Sequence, residues 1–207
     1  MERPSRIPLF PLDVVLLPGM TLPLHIFEPR YKVMIGRCLA EEIEFGMVLA
    51  TEKAVARVGC TAKIIRKVKD YTDGRMDILT VGTAVFALRE VIEENEYYEG
   101  RVEYLADEPL QLDRDQERRV HDLFQQCHAL MFGQAWTDEE EKDPATLAYR
   151  MAARLPMEFQ QRQALLELRD EIERRKALLK WLTEFLPKLA ERERARTRAK
   201  GNGHGAN

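Results

Sequence analysis

The sequence predicts an α+β chain: a β-rich first half with one early helix, then a helical second half. Three observations carry this. Up to about residue 110 the apolar runs are short and are broken by Pro, Gly and Asp turn signals. Beyond Asp107-Glu108-Pro109 the apolar residues recur every three to four positions, as on one face of a helix. With 207 residues, 45% of them hydrophobic and 32% charged, the chain is long enough to bury a substantial core. The expected division is a β-rich part over 1–110, a helical part over 111–190 and a disordered, basic tail over 191–207.

The segment from Pro8 to Tyr31 sets five prolines among Leu, Val, Ile and Phe. Proline fixes φ and donates no hydrogen bond, so these residues should mark strand ends, edges and turns. Pro18-Gly19 reads as a turn, with "LDVVLL" and "TLPLHIF" as short strands on either side. Glu28-Pro29 opens a helix, because Pro suits the first helical position and Tyr31, Met34, Ile35, Cys38 and Leu39 follow at helical spacing.

Further strands are expected at "FGMVLA" and "GCTAKIIRKV", and Asp73-Gly74 separates "KVKDY" from "RMDILTV" as a hairpin turn would. "TAVFALREVI" and "YYEGRVEYL" continue the series. Many short strands with one helix suggest a closed or half-closed barrel. In the second half, Val120, Phe124, Cys127 and Met131 mark a helix, "GQAWTDEEEKDP" a polar loop, and Asp143-Pro144 an N-cap followed by proline at the first helical position. That helix runs to about Leu155 and is interrupted by Pro156. A long charged helical segment then carries Leu165, Leu168, Ile172, Leu179, Leu182 and Leu186 on one side to about Leu189.

The net charge of -3 is not that of a nucleic-acid binder: residues 1–110 hold 14 basic and 18 acidic residues and the remainder 18 and 17. Cys38, Cys60 and Cys127 form no CxxC and cannot all pair, which fits a reducing cytoplasm. No apolar run is long enough for a signal peptide or a membrane span. His121 and His128, seven apart beside Cys127, invite a metal reading but lack a further ligand pair, and no HExxH or GxSxG occurs. No cofactor, metal or catalytic residue is expected.

The stretch "FPLDVVLLPGMTLPLHIFEPRYKVMI" closely resembles the start of the Lon amino-terminal, substrate-binding domain. The likeness continues through "FGMVL", "GCTAKI", "DGRMDILTVG", "YYEGRVEYL" and "ARLPMEFQQRQALLEL", from about Ile7 to Leu189. The resemblance implies a PUA-like β-barrel subdomain followed by a helical one, and a non-enzymatic module that binds unfolded or partly folded polypeptides. Where family members often carry Arg before the Phe of "VGTAVFAL", this chain has Val85. It also ends where Lon would continue into its ATPase and protease domains, with no GxxxxGK[ST] phosphate loop and no Ser-Lys region. A separate protease or ATPase is therefore a further candidate partner. The rival readings are a PUA-like RNA-binding module and an adaptor with one fixed protein partner.

The resemblance singles out "HIFEPRY", with His25, Phe27, Glu28, Arg30 and Tyr31, as candidate binding residues. Their physical reading is structural first: Glu28 and Arg30 straddle a strand-to-helix corner, where a carboxylate favours the helix start and a guanidinium can bridge to a strand. Trp136, in the acidic loop, joins the candidates as an aromatic that a peptide-binding surface could use. Lys63, Arg66, Lys67 and Lys69 read as the solvated charges of an edge strand. Trp181 is expected in the core.

Overall fold

The computed structural model describes residues 3–52, 54–111, 113–137 and 144–201. They form two compact units, one from Met1–Glu108 with Tyr149–Arg169 and the other from Pro109–Ala148 with Asp170–Asn207.

The first unit carries strands β1 (Arg6–Leu12), β2 (Thr21–Ile26), β3 (Phe45–Leu49), β4 (Val58–Asp70), β5 (Met76–Ile92) and β6 (Glu99–Tyr104), with helix α1 (Pro29–Glu41) after β2. All six strands lie in one sheet ordered β2-β5-β4-β3-β1-β6, and β6 pairs back onto β5. Five strands thus close into a ring, with β1 parallel to β3 and antiparallel to β6. Ile7, Leu9, Val48, Phe86, Leu88 and Val102 pack together as a core, with Tyr98 and Tyr104 against them. The opposite face of β1 is covered as well: Phe10 meets Tyr31 of α1 at 4.1 Å between ring centroids. α1 buries Tyr31, Met34, Ile35 and Cys38, as the spacing predicts.

β4 and β5 outrun the ring. Pairing of β3 with β4 covers only Phe45↔Ala62 to Met47↔Cys60, whereas β4 remains on β5 as far as Asp70↔Met76. On the other side of this extension β5 pairs with β2, from Thr21↔Val81 to Ile26↔Met76. The result is a three-stranded wing, β2-β5-β4, and "RMDILTV" and "TAVFALREVI" are one 17-residue strand rather than two.

Each of the five prolines sits where no ladder bond is lost. N–H groups alternate sides along a strand, and Leu9 donates to the Tyr98 carbonyl beside β6. Pro8 therefore faces the β3 side one residue before that pairing starts at Leu9↔Gly46, and Pro11 faces the β6 side past the last β6 partner. Gly82 donates to Met20, so the even residues of β2 bond to β5 and Pro23 turns its ring nitrogen to the open edge. Pro18 precedes Gly19 (φ 76°) in a turn closed by Met20 N donating to Leu17 O at 3.0 Å. Pro29 is at the first position of α1.

The segment "LDVVLL" is not a strand beyond Leu12; the strand is Arg6–Leu12. Val15, Leu16 and Leu17 are nevertheless buried, so their apolarity serves the core while the backbone runs as a loop. That loop crosses β5 at Gly82, where a Cβ would lie 2.2 Å from the Leu17 carbonyl oxygen. Only glycine admits this approach.

The last strand, β6, ends at Tyr104, and the first unit takes in Tyr149–Arg169 as well as Met1–Glu108, so it is not one continuous stretch of chain. Helix α4 (Phe159–Glu167) buries Gln163, Leu165 and Leu166, and Gln163 Nε2 donates to the Val58 carbonyl at 3.0 Å. Arg169 reaches the Tyr149 hydroxyl at 2.6 Å and pairs with Asp107 at 3.2 Å. The long segment is therefore two helices, with Leu165 and Leu168 apart from the second.

The second unit is built on helices α2 (Arg114–Phe132) and α5 (Glu171–Gly201), with a 3-10 turn at Pro144–Thr146 leading into α3 (Leu147–Ala152), whose residues from Tyr149 onward belong to the first unit. Asp113 caps α2 by accepting from Gln116 N at 2.9 Å, and Gly133 (φ 73°) ends it. Asp143, expected as an N-cap, lies outside the described residues. The buried line of α5 starts with charge: Glu171, Arg174 and Arg175, then Leu178, Leu182 and Leu189. Glu171 accepts from Arg174 Nε (2.8 Å), Arg175 Nε (3.1 Å) and the Ala148 amide (2.9 Å), while the two guanidiniums also donate to the Ala145 and Pro144 carbonyls. Burial pushes the Glu171 carboxyl up, and the Ala148 amide and Arg174 pull it back. Ile172, Leu179 and Leu186 are half-buried beside that line, and Trp181 stacks on Phe185 at 4.4 Å rather than entering the core. The expected disordered tail is not seen from 191 to 201, where α5 continues; 202–207 lie outside the described residues.

Candidate functional site

Register places three rows on the outer face of the wing: Thr21–Val81–Lys63, Pro23–Leu79–Arg66 and His25–Asp77–Lys69. Paired residues on antiparallel strands share a face. The inner rows are closed, since Ile78 and Thr80 have no exposure, whereas Leu79 and Val81 are only half-buried and their neighbours on β2 and β4 are exposed. An aliphatic ridge of Pro23, Leu79 and Val81 is thus flanked on the β4 side by cations.

An aromatic group closes one end of this face. His25 stacks on Phe27 at 6.0 Å and meets Tyr71 edge-on at 5.7 Å. Asp77 holds both neighbours, bonded to His25 Nδ1 at 2.5 Å and accepting from the Tyr71 hydroxyl at 2.9 Å. The His25 bond, then the Tyr71 bond, draws the Asp77 carboxyl below the usual carboxylate range. Phe27 is 58% exposed. Lys69 Nζ and the Arg75 guanidinium lie over the Tyr71 ring at 4.5 and 5.0 Å.

The edges of the wing are guarded. From Lys63 onward β4 pairs only with β5, and its register slips twice, leaving Ile65 and Val68 without partners at 48% and 53% exposure. Bulges and cations on one edge, with Pro23 on the other, are what proteins use to refuse an added strand. The edge-strand reading of Lys63, Arg66, Lys67 and Lys69 describes where they stand.

The "HIFEPRY" residues do not share one surface. His25 and Phe27 belong to the outer face, while Glu28 and Arg30 pair with each other at 2.7 Å at the corner. Glu28 caps α1 through its carbonyl, not its side chain, and Arg30 lies over Tyr31 and Tyr98 at 4.7 and 5.8 Å. Tyr31 is 4% exposed and is a core residue. Trp136, in the other unit, is 6% exposed and edge-on to Phe124 at 5.0 Å, with its backbone clamped by Gln125 at 2.6 and 2.9 Å. Neither ring is displayed to a ligand.

Sequence reasoning missed Leu79 and Val81, although the alternation in "MDILTV" marks them as sharing a face with Asp77. Val85 is buried. His128 Nδ1 sits 2.9 Å from the Gln134 carbonyl, and Cys127 is buried with its thiol pushed up to about 11 by desolvation. Among the described residues no three His, Cys, Asp or Glu side chains are grouped to hold a metal ion, and no helix is long and apolar enough to cross a membrane.

A family model of the ATP-dependent protease La (LON) substrate-binding domain matches residues 6–184. The chain belongs to this family. Among curated relatives, the Lon protease of Escherichia coli strain K12 is 28% identical over 96% of this chain and 27% of its own length. That of Trichlorobacter lovleyi is 27% identical over 84% and 23%. The chain thus spans about a quarter of the length of these Lon proteases, and the match lies in their substrate-binding domain. A crystal structure of a Lon N-terminal domain protein from Xanthomonas campestris superposes with a TM-score of 0.68 at 28% identity, covering 86% of this chain and 98% of that one. The N-terminal domain of a Mycobacterium avium complex Lon protease shares the fold, with a TM-score of 0.66 at 18% identity.

Proposed function

We propose that this chain is a non-enzymatic polypeptide-binding module that engages apolar segments of unfolded proteins on the outer face of the β2-β5-β4 wing. The observation that carries the reading is the aliphatic ridge of Pro23, Leu79 and Val81, continued by exposed Phe27, on a wing whose edges are blocked against strand addition. Membership of the Lon substrate-binding family supports the same role. Binding then rests on side-chain burial rather than on a borrowed ladder. His25 and Phe27 contact the client, and Glu28 and Arg30 hold the corner that presents them. An RNA platform is less well served, because the residues beside Lys63 and Arg66 are aliphatic and the Tyr71 ring is already covered by Lys69 and Arg75, whereas bases stack on open aromatic rings.

The test is fluorescence anisotropy with a labelled, unfolded peptide of zero net charge at two salt concentrations. Affinity should change little with salt and fall about tenfold or more in the Phe27→Ser/Leu79→Thr variant, whose positions are surface-accessible. Absence of peptide binding, with tight RNA binding that weakens steeply with salt, would replace this reading by the nucleic-acid one.

A further inference from the structure

We propose that the wing selects among polypeptides by charge, preferring segments in which an apolar anchor is flanked by aspartate or glutamate. This rests on the polypeptide-binding reading and names its client class. The argument comes from an asymmetry along β4. On the inner rows the cation is answered from its own strand, since Lys67 pairs with Asp70 at 2.9 Å. On the outer rows Lys63, Arg66 and Lys69 stand opposite Val81, Leu79 and Asp77, and the one carboxylate there already holds His25 and Tyr71. Among the described residues no carboxylate pairs with Lys63 or Arg66.

Edge protection alone needs charge on β4 but does not need it uncompensated on one face. Most arginines elsewhere in the first unit find an acid, as Arg3, Arg6, Arg30, Arg37, Arg75, Arg89 and Arg101 do. A client lying along the ridge would set its flanking side chains against Lys63 and Arg66, one strand spacing away. Acidic flanks complete ion pairs there, and basic flanks meet like charge.

The experiment compares three labelled peptides sharing one apolar anchor, with Asp, Ser or Lys flanks, against the full chain at low and high salt. The Asp-flanked peptide should bind roughly three- to tenfold more tightly than the Lys-flanked one at low salt, the gap closing at high salt. Lys63→Glu/Arg66→Glu should invert the order, and Lys63→Gln/Arg66→Gln should erase it. Equal affinities for all three peptides, or a preference that survives both variants, would overturn the proposal while leaving the polypeptide-binding reading intact. Failure of every peptide to bind, with or without RNA binding, would overturn both.

Discussion

The carboxylate of Glu99 shows how a single residue can hold several elements. It is 5% exposed and accepts from Arg6 (2.8 and 2.5 Å), Asn95 (2.8 Å) and Arg37 (3.2 Å), joining β6 to β1, to α1 and to the loop before β6. Arg6 and Arg37 are each about half exposed, so they regain water if the acid is removed, which bounds the loss. Glu99→Ala should lower stability by about 2–3 kcal/mol in a urea titration, as expected for losing hydrogen bonds to a charged group. Nothing in the sequence announces this hub, because Arg6 lies 93 positions from Glu99 and Arg37 lies 62. The same limit applies to Trp136, since an aromatic in a polar loop reads alike whether its ring packs inward or outward. His25 and Phe27 were singled out by the family resemblance, and the structure places both at the exposed surface.

At the scale of elements, the β4–β5 hairpin is held by its acids. Asp73 accepts from the Arg75 amide at 3.1 Å and from Arg75 Nε at 2.7 Å, and the amide bond chiefly draws its carboxyl below the usual range. Asp77 is lowered likewise through His25 and Tyr71. A carboxyl whose folded pKa is depressed stabilises the fold above its unfolded pKa, and that contribution is lost as pH falls through the folded value. Amide exchange at Arg75 and Asp77 should therefore show protection falling faster below about pH 4 than in the five-strand ring. Asp73→Asn/Asp77→Asn should remove that excess loss. The turn itself was legible from Asp73-Gly74, as α1 was from Glu28-Pro29. Strand β1 was displaced by several residues because burial and ladder pairing, which usually coincide, part company at Val14–Leu17. The break between α4 and α5 was invisible because no Gly or Pro marks it.

At the scale of the molecule, stability is unevenly distributed. Among the described residues Leu189 is the last buried one of α5, and the arginines at 192, 194, 196 and 198 are exposed. Brief trypsin treatment should cut beyond Leu189 first and leave a core fragment that still binds peptide, because the proposed site lies in the first unit. Mass spectrometry of the fragment and its anisotropy titration check this. Early cleavage within Ile7–Tyr31, or loss of binding on trimming, would contradict it. The α+β class and the order of β before α were legible from periodicity. A closed or half-closed barrel was anticipated as well, but which strands close it was not, since no local pattern says that residue 7 faces residue 100.

That closure also orders events in time. β1 is made before its antiparallel partner β6 by some ninety residues, and before α4 by more. Until then the Ile7 and Leu9 side chains have no complete core to enter. Synthesis therefore leaves an apolar, half-built barrel open for an interval, and Pro8 and Pro11, by interrupting the donor ladder of β1, discourage that strand from pairing with a neighbouring chain meanwhile.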